Sequence, residues 1–417
     1  MPYICDLHLH SKYARACSKN LTLENIDYWC KLKGINIVGS ADFTHPAWFK
    51  ELESKLTEVK PGLYQLRGSK NGTLFMLTAE IACIYSQGGQ TRRLHICLWA
   101  PNLAFVKKLN QTLTDRGCKL GSDGRPIIGM SAKELLKICL EIDPHHLTIP
   151  AHAWTPWFAI FGSKSGFDSI EECYEDLSDN IFAIETGLSS DPPMNWRLKA
   201  LDHLSLVSNS DAHSLQNLGR EANVFDLTEP SFLEIRNIIK SRDKNKFLYT
   251  IEFFPEEGMY HFDGHRDCDV SFSPAETKKH HGSCPQCKKE LTIGVLNRVD
   301  CLATRTTAEI DPKQFVPFKN VIPLKEILAD IMTVGKHSKK VDAEYLKMIQ
   351  TGGNEFNILL HLTKKQLENI SSKQIAEGVI RVREGKVKLT PGFDGRYGTI
   401  TLFSDQEKHT VEQTKLF

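Results

Sequence analysis

Cys5-Asp6-Leu7-His8-Leu9-His10-Ser11 opens the chain, and Ser208-Asn209-Ser210-Asp211-Ala212-His213 answers it much further along. In the first stretch His8 and His10 alternate with apolar residues, and alternate side chains of an extended segment share one face. Asp6, His8 and His10 are therefore expected to point together. Asp211 and His213 keep the same spacing directly after an apolar run at 204–207. Neutral imidazole and carboxylate suit Zn, Mn or Fe, and a bridging carboxylate can hold two ions. The two stretches together predict a polynuclear metal site.

Outward from the first stretch, residues 23–33 read as a helix that Thr22 caps and Gly34 stops, followed by a strand at 35–40. That is a βα beginning, and its repetition implies a parallel sheet or barrel. Further strands are expected at 73–79, 94–99, 147–150, 181–184 and 204–207, with helices at 132–141, 191–202 and 231–240. Metal-capable side chains fall at or just after these strands: Asp42, Glu80, His95, His152, Glu185, then Asp211 and His213. In α/β barrels such positions converge on one mouth.

The composition is that of a globular protein, with 417 residues, 41% hydrophobic and 25% charged. A net charge of +1 excludes a global field for nucleic acid, so any such contact must use a local basic face. No apolar run approaches the ~20 residues of a membrane span, and no signal peptide is expected. The 12 cysteines include several inside apolar runs, such as Cys97 and Cys139. They behave as buried hydrophobes of a reducing compartment, and a cytoplasmic, nucleoid-associated location is expected.

The series Asp6-x-His8-x-His10-Ser11, Ala41-Asp42, Thr78-Ala79-Glu80, His95, Ala151-His152 and Ser210-Asp211-Ala212-His213 resembles the polymerase and histidinol phosphatase (PHP) superfamily. The resemblance implies an α/β fold, a distorted (β/α)7 barrel, with up to three divalent ions (Zn, Mn or Mg) at its mouth hydrolysing phosphoesters. By motif position the implied ligands are His8, His10, Asp42, Glu80, His95, His152, Asp211 and His213. Glu80, His152 and Asp211 form the catalytic group, with Glu80 bridging and Asp211 either binding metal or orienting the attacking water. Two departures leave the third ion open. Asp42 is followed by Phe43 rather than His, with His45 a substitute or a plain loop residue. Arg15, Ala16 and Cys17 stand where many members carry a His or an acid.

Two loops lie between the strands. Residues 117–129 are glycine-rich and carry Lys119 and Arg125; they form a surface loop or approach a phosphate backbone. Residues 153–162 carry Trp154, Trp157, Phe158 and Phe161 beside His152, suiting base stacking or core lining. Arg197 reaches a phosphate or is an ordinary helix residue.

Further on, His265-x-x-Cys268 and Cys284-x-x-Cys287 read as a structural Zn site, with His261, His280 and His281 as rival histidine ligands. Lys278, Lys279, Lys288, Lys289, Arg298 and Arg305 surround it and supply a local basic face. A PHP barrel followed by this zinc segment, including Gly294-Val295-Leu296-Asn297-Arg298-Val299, resembles the endonuclease Q family. That likeness implies cleavage of DNA 5′ of deaminated bases (uracil, hypoxanthine, xanthine) and at abasic sites. The expected organisation is a catalytic domain at 1–240, a zinc-binding DNA-contact domain at 241–310, a mainly helical C-terminal domain at 311–408 and a tail at 409–417. The ending Gln413-Thr414-Lys415-Leu416-Phe417 is similar to peptides that dock on the bacterial sliding clamp, its Leu and Phe entering an apolar pocket.

Overall fold

Ile37-Val38-Gly39 is fully buried on both faces, which is what a strand flanked by parallel neighbours and covered by helices requires. In the computed structural model, which describes residues 2–69, 72–404 and 407, Ile37–Gly39 lies between Pro2–Asp6 and Leu74–Gln87, parallel to both. The clamp-peptide expectation at 413–417 falls outside the described residues.

From this centre the sheet grows by antiparallel joins. Leu74–Gln87 pairs antiparallel with Gln90–Ala100, which pairs antiparallel with Leu147–Pro150. On the other side Pro2–Asp6 pairs antiparallel with Ala222–Asp226, and that strand with Phe247–Glu252. Ala183–Glu185 and Ser205–Val207 form a separate parallel pair. The architecture is mixed α/β.

The helix Leu23–Lys33 forms as its sequence dictates. The Thr22 side chain accepts the Asn25 N–H, and Gly34 ends the helix in the left-handed region at φ 88°. The helix expected at 191–202 is reduced to Pro192–Asn195 and a 3-10 turn at Lys199–Leu201. The carbonyls of Trp196 and Arg197 instead accept from Arg305, Thr304 and the Arg305 backbone.

The main sheet continues past residue 240. After Phe247–Glu252 the chain makes the segment that carries His265, Cys268, Cys284 and Cys287 and returns as Phe318–Asn320, parallel to Phe247–Glu252. Helices Leu324–Met332, Lys339–Gly352, Lys364–Ile370 and Lys373–Arg383 then enclose their own core around Leu328, Tyr345, Met348 and Val379. Lys364–Ile370 and Lys373–Arg383 are two helices and not one, because Ser372 caps the second by accepting the Ile375 N–H. A π-helical turn, Asn357–His361, lies between Lys339–Gly352 and Lys364–Ile370. All 12 cysteines are free thiols. Among the described residues no helix is long and apolar enough to cross a membrane.

Candidate metal centre

The central strands bring their polar residues to one place, Glu80 and His95 from within the paired strands Leu74–Gln87 and Gln90–Ala100 and the others from beyond strand ends. His8 and His10 follow the end of Pro2–Asp6, and Leu9 between them bridges Ala212, which seats Asp211 alongside. Asp6 is the fastener rather than a ligand: its carboxylate accepts the Ser210 N–H at 3.0 Å and the Gly219 N–H at 2.8 Å.

His8, His10, Glu80 and Asp211 place one donor atom each within 4.8 Å of one another, and Glu80, His95 and His152 do the same. Glu80 belongs to both groups. Its Oε2 lies 3.2 Å from His10 Nε2 and 3.7 Å from His8 Nε2. Its Oε1 lies 2.8 Å from His95 Nδ1 and 3.2 Å from His152 Nε2. One carboxylate facing two donor sets is the arrangement of a bridging ligand.

The remaining atoms set the tautomers. His8 Nδ1 lies 3.0 Å from Glu185 Oε2, and His10 Nδ1 lies 3.0 Å from Asp42 Oδ1. A carboxylate only accepts, so each Nδ1 carries a proton. Burial pulls both imidazoles down, but Cys97 and Glu185 beside His8, and Asp42, Asp211 and Glu80 beside His10, outweigh it and hold their pKa well above the ordinary value. A cation at the Nε2 atoms would therefore displace a proton from each. Those two Nε2 atoms, with Asp211 Oδ1, are buried and have no hydrogen-bond partner. Buried polar atoms require a partner, and three unpartnered donors converging on one point fit a divalent cation. His213 stands at the edge, its Nδ1 2.8 Å from the Asp211 carbonyl and its ring 4.7 Å from that of His10.

Asp42 lies one residue away from the donors. Its Oδ2 accepts the Ser11 N–H at 2.6 Å, and it meets the cluster through His10. Glu185 plays the corresponding part for His8. It also accepts the His152 backbone N–H at 2.8 Å and an Asn209 side-chain N–H at 3.0 Å. Cys97 lies close to His8 and Glu185, but with Glu185 so fully engaged the trio is a packed hydrogen-bond network. His45 is outside the donor groups, stacked on Tyr13 at 4.4 Å.

The charges are mutually compensating. Burial tends to raise the Glu80 pKa, but His95, Arg125, His10 and His152 outweigh it and hold the carboxyl well below its ordinary value. Asp211 is likewise held down, with burial overcome by His10 and His8. His95 is pushed down to about 4, chiefly by burial.

Asp42, His152 and Asp211 have φ of 34°, 29° and 45°. Non-glycine residues in this region are strained and cluster where function holds them. No sequence pattern signals it.

The aromatic loop divides. Trp154 is core, 1% exposed, with its indole N–H on Asn195 Oδ1 at 2.7 Å. Phe158 packs on the His95 ring at 4.6 Å. Trp157, 37% exposed, meets Tyr260 edge-on at 5.6 Å. Arg197 pairs with Asp300 and lies outside the donor groups.

In the zinc segment His265, Cys268, Cys284 and Cys287 bring their donors within 4.8 Å, which fits a tetrahedral N/S site. His280 is stacked on Phe272 and His261 on Phe262; among the described residues His265 is the histidine that completes the group. Only Val270, Cys284 and Leu291 form the buried core here.

Residues 323–386 match the MJ0043 C-terminal domain family. MJ0043 of Methanocaldococcus jannaschii is 32% identical over 274 residues, 63% of this chain and 33% of that protein, so the chain spans about a third of its length. YqxK of Bacillus subtilis is 27% identical over 407 residues, 95% of this chain and 98% of that one. Two solved structures match nearly end to end. The lesion-specific endonuclease PfuEndoQ from Pyrococcus furiosus shares 30% identity at a TM-score of 0.86, covering 100% of this chain and 99% of that one. Endonuclease Q in complex with a 27-mer duplex substrate, an abasic lesion at its active site, shares 31% identity at a TM-score of 0.85, covering 97% and 98%. With its paired donor clusters, its group of one histidine and three cysteines, and this full-length likeness, the chain belongs to the endonuclease Q family of DNA-cleaving enzymes.

Proposed function

We propose that this protein is a DNA repair endonuclease that hydrolyses the phosphodiester 5′ of deaminated bases (uracil, hypoxanthine, xanthine) and at abasic sites. The observation that carries the reading is the convergence of His8 Nε2, His10 Nε2 and Asp211 Oδ1, all buried and unpartnered, on a carboxylate shared with His95 and His152.

His8, His10, Glu80 and Asp211 would hold one divalent ion, and Glu80, His95 and His152 a second, with His213 at the rim. Zn, Mn or Mg bound there would supply an acidified water and neutralise charge on the phosphate. The reaction itself adds water across one P–O bond. The water oxygen bonds to phosphorus, the ester bond breaks, and its electron pair leaves on the sugar oxygen, which takes a proton. Asp211, with its side chain 23% exposed, faces the entry and orients the nucleophile. Glu185 and Asp42 keep the His8 and His10 lone pairs aimed inward.

The strands around the centre act as a distorted (β/α)7 PHP barrel, residues 1–240 forming the catalytic domain, 241–310 the zinc-binding DNA contact and 311–408 a helical support. The lysines and arginines of the zinc segment track the DNA backbone, and Trp157 and Phe158 handle the displaced base. The enzyme works on nucleoid DNA, and its tail at 413–417 docks it on the sliding clamp.

Labelled duplexes carrying uracil, hypoxanthine, an abasic site or normal bases, incubated with Mg, Mn or Zn, test the proposal. A lesion-dependent nick supports it. Activity on a small phosphomonoester alone would assign a phosphatase, and binding without cleavage an adaptor. Asp211→Asn should keep DNA affinity and lose cleavage; full activity in that variant would remove the site.

A further inference from the structure

Residues 123–126 of the glycine-rich loop are held against the donor cluster, while Gly117, Lys119, Gly121 and Ser122 stay exposed. The Gly124 N–H donates to the Tyr13 carbonyl at 3.1 Å, and the Ala82 N–H to the Pro126 carbonyl at 3.0 Å. Between them Asp123 Oδ1 accepts the N–H groups of Arg15 and Arg125, each at 3.1 Å. A Cβ at position 124 would lie 2.4 Å from Asp42 Oδ2 and 2.8 Å from the Ala14 nitrogen. Only glycine lets the loop come this close.

The loop delivers Arg125. Its Nη1 lies 3.1 Å from Glu80 Oε2, the oxygen that also faces His10 and His8. The side chain is 26% exposed, so the guanidinium spans from the cluster to solvent. Glu80 is its one ion-pair partner among the described residues.

Divalent ions on the same donors would neutralise Glu80 without Arg125. Divalent ions in the same donors would leave the cluster with an excess of positive charge, which an anion must balance. Guanidinium has five N–H donors in a planar fork that matches two phosphate oxygens, and one contact to Glu80 leaves others for a ligand.

We propose that Arg125 is a substrate-clamping residue whose guanidinium holds a non-bridging oxygen of the phosphodiester at the donor cluster. The assignment rests on the reading of that cluster as a phosphodiesterase centre. The contact strengthens as negative charge builds on the equatorial oxygens, and stabilisation of that kind raises kcat more than it lowers KM.

The test compares wild type with Arg125→Ala, Arg125→Lys and Arg125→Gln, the last keeping much of the stem should the alanine variant fold poorly. Two readouts are needed. Calorimetry of inorganic phosphate binding to the Mn-loaded protein, without DNA, should show an affinity loss of roughly tenfold, with Mn affinity unchanged. Nicking of a lesion duplex should fall about 10²- to 10³-fold in kcat with little change in KM. Added guanidinium chloride should restore part of the rate to Arg125→Ala, and Arg125→Lys should not reach wild-type activity. Unchanged phosphate affinity in Arg125→Ala and Arg125→Gln overturns the clamp. A rate loss that tracks loss of Mn also overturns it, because that is the signature of a structural counter-ion. If the wild-type protein nicks no lesion duplex while phosphate affinity still falls in the variants, the DNA reading fails and the clamp stands.

Discussion

Asp42 and His10 form a fully buried pair in which Asp42 Oδ1 stands 3.0 Å from His10 Nδ1. Oδ2 of the same carboxylate is occupied by the Ser11 N–H at 2.6 Å. Both oxygens are thus committed to fixing the imidazole, leaving His10 Nε2 to face Glu80 and Asp211. Asp42→Asn keeps the shape but weakens the acceptor, and such orienting partners are worth about 10- to 100-fold in metal affinity or activity. Competition titration with a chelating dye should show a loss of that order. Wild-type affinity would make Asp42 a loop fastener.

The His265, Cys268, Cys284, Cys287 group shares its buried core with Val270 and Leu291, too small a core to fold alone. Cys284→Ser, or chelator treatment, should remove one zinc per chain. Amide exchange between 263 and 292 should then approach unfolded rates while the central strands stay protected. Retained protection around the knuckle in metal-free protein would count against a structural zinc.

A buried ion pair joins the first helix to the helical region. Lys33 Nζ lies 2.9 Å from Glu355 Oε2, with the two side chains 5% and 3% exposed. Glu355 also accepts the Tyr345 hydroxyl at 2.8 Å and the Leu324 N–H at 2.9 Å. Removing one partner leaves a buried charge uncompensated, so Glu355→Leu or Lys33→Met alone should cost about 3–5 kcal/mol. Replacing both should recover part of that loss, the Tyr345 hydroxyl and the Leu324 N–H still lacking their acceptor. Urea unfolding of wild type, the two single variants and the double variant measures the cycle.

Glu252 and Glu221 are both buried where their strands begin to pair. Burial, with a smaller contribution from Asp191, pushes the Glu252 carboxyl up to about 8 from an ordinary 4.5. The folded state therefore holds a proton that the unfolded chain releases first. Stability contributed by this group is complete below pH 4.5, falls as pH rises, and is gone above about 8. Glu252→Gln cannot ionise, so its urea midpoint should decline less across that interval. A slope equal to wild type would place the linked proton elsewhere.

Much of the centre was legible because its residues follow apolar strands. His8, His10, Glu80, His95, His152 and Asp211 could each be placed in or just after a strand, and they meet in two groups that share Glu80; the strand expected to end before Glu80 in fact runs through it to Gln87. Contacts between distant segments were not legible. Nothing in the spacing shows that Glu185 would turn under His8, that Gly124 would let Arg125 touch Glu80, or that Arg197 would be captured by Asp300. The aromatic loop failed for another reason. Trp154 and Trp157 are chemically alike, and which one enters the core depends on Asn195 and Phe161 being there to receive it.

The return of Phe318–Asn320 to the flank of Phe247–Glu252 has a mechanical consequence. Both feet of the excursion that carries His265, Cys268, Cys284 and Cys287 stand on neighbouring rails of one sheet, so it cannot swing about a single pivot as an appended module would. Its distance to the Glu80 cluster is set by the sheet and not by a tether.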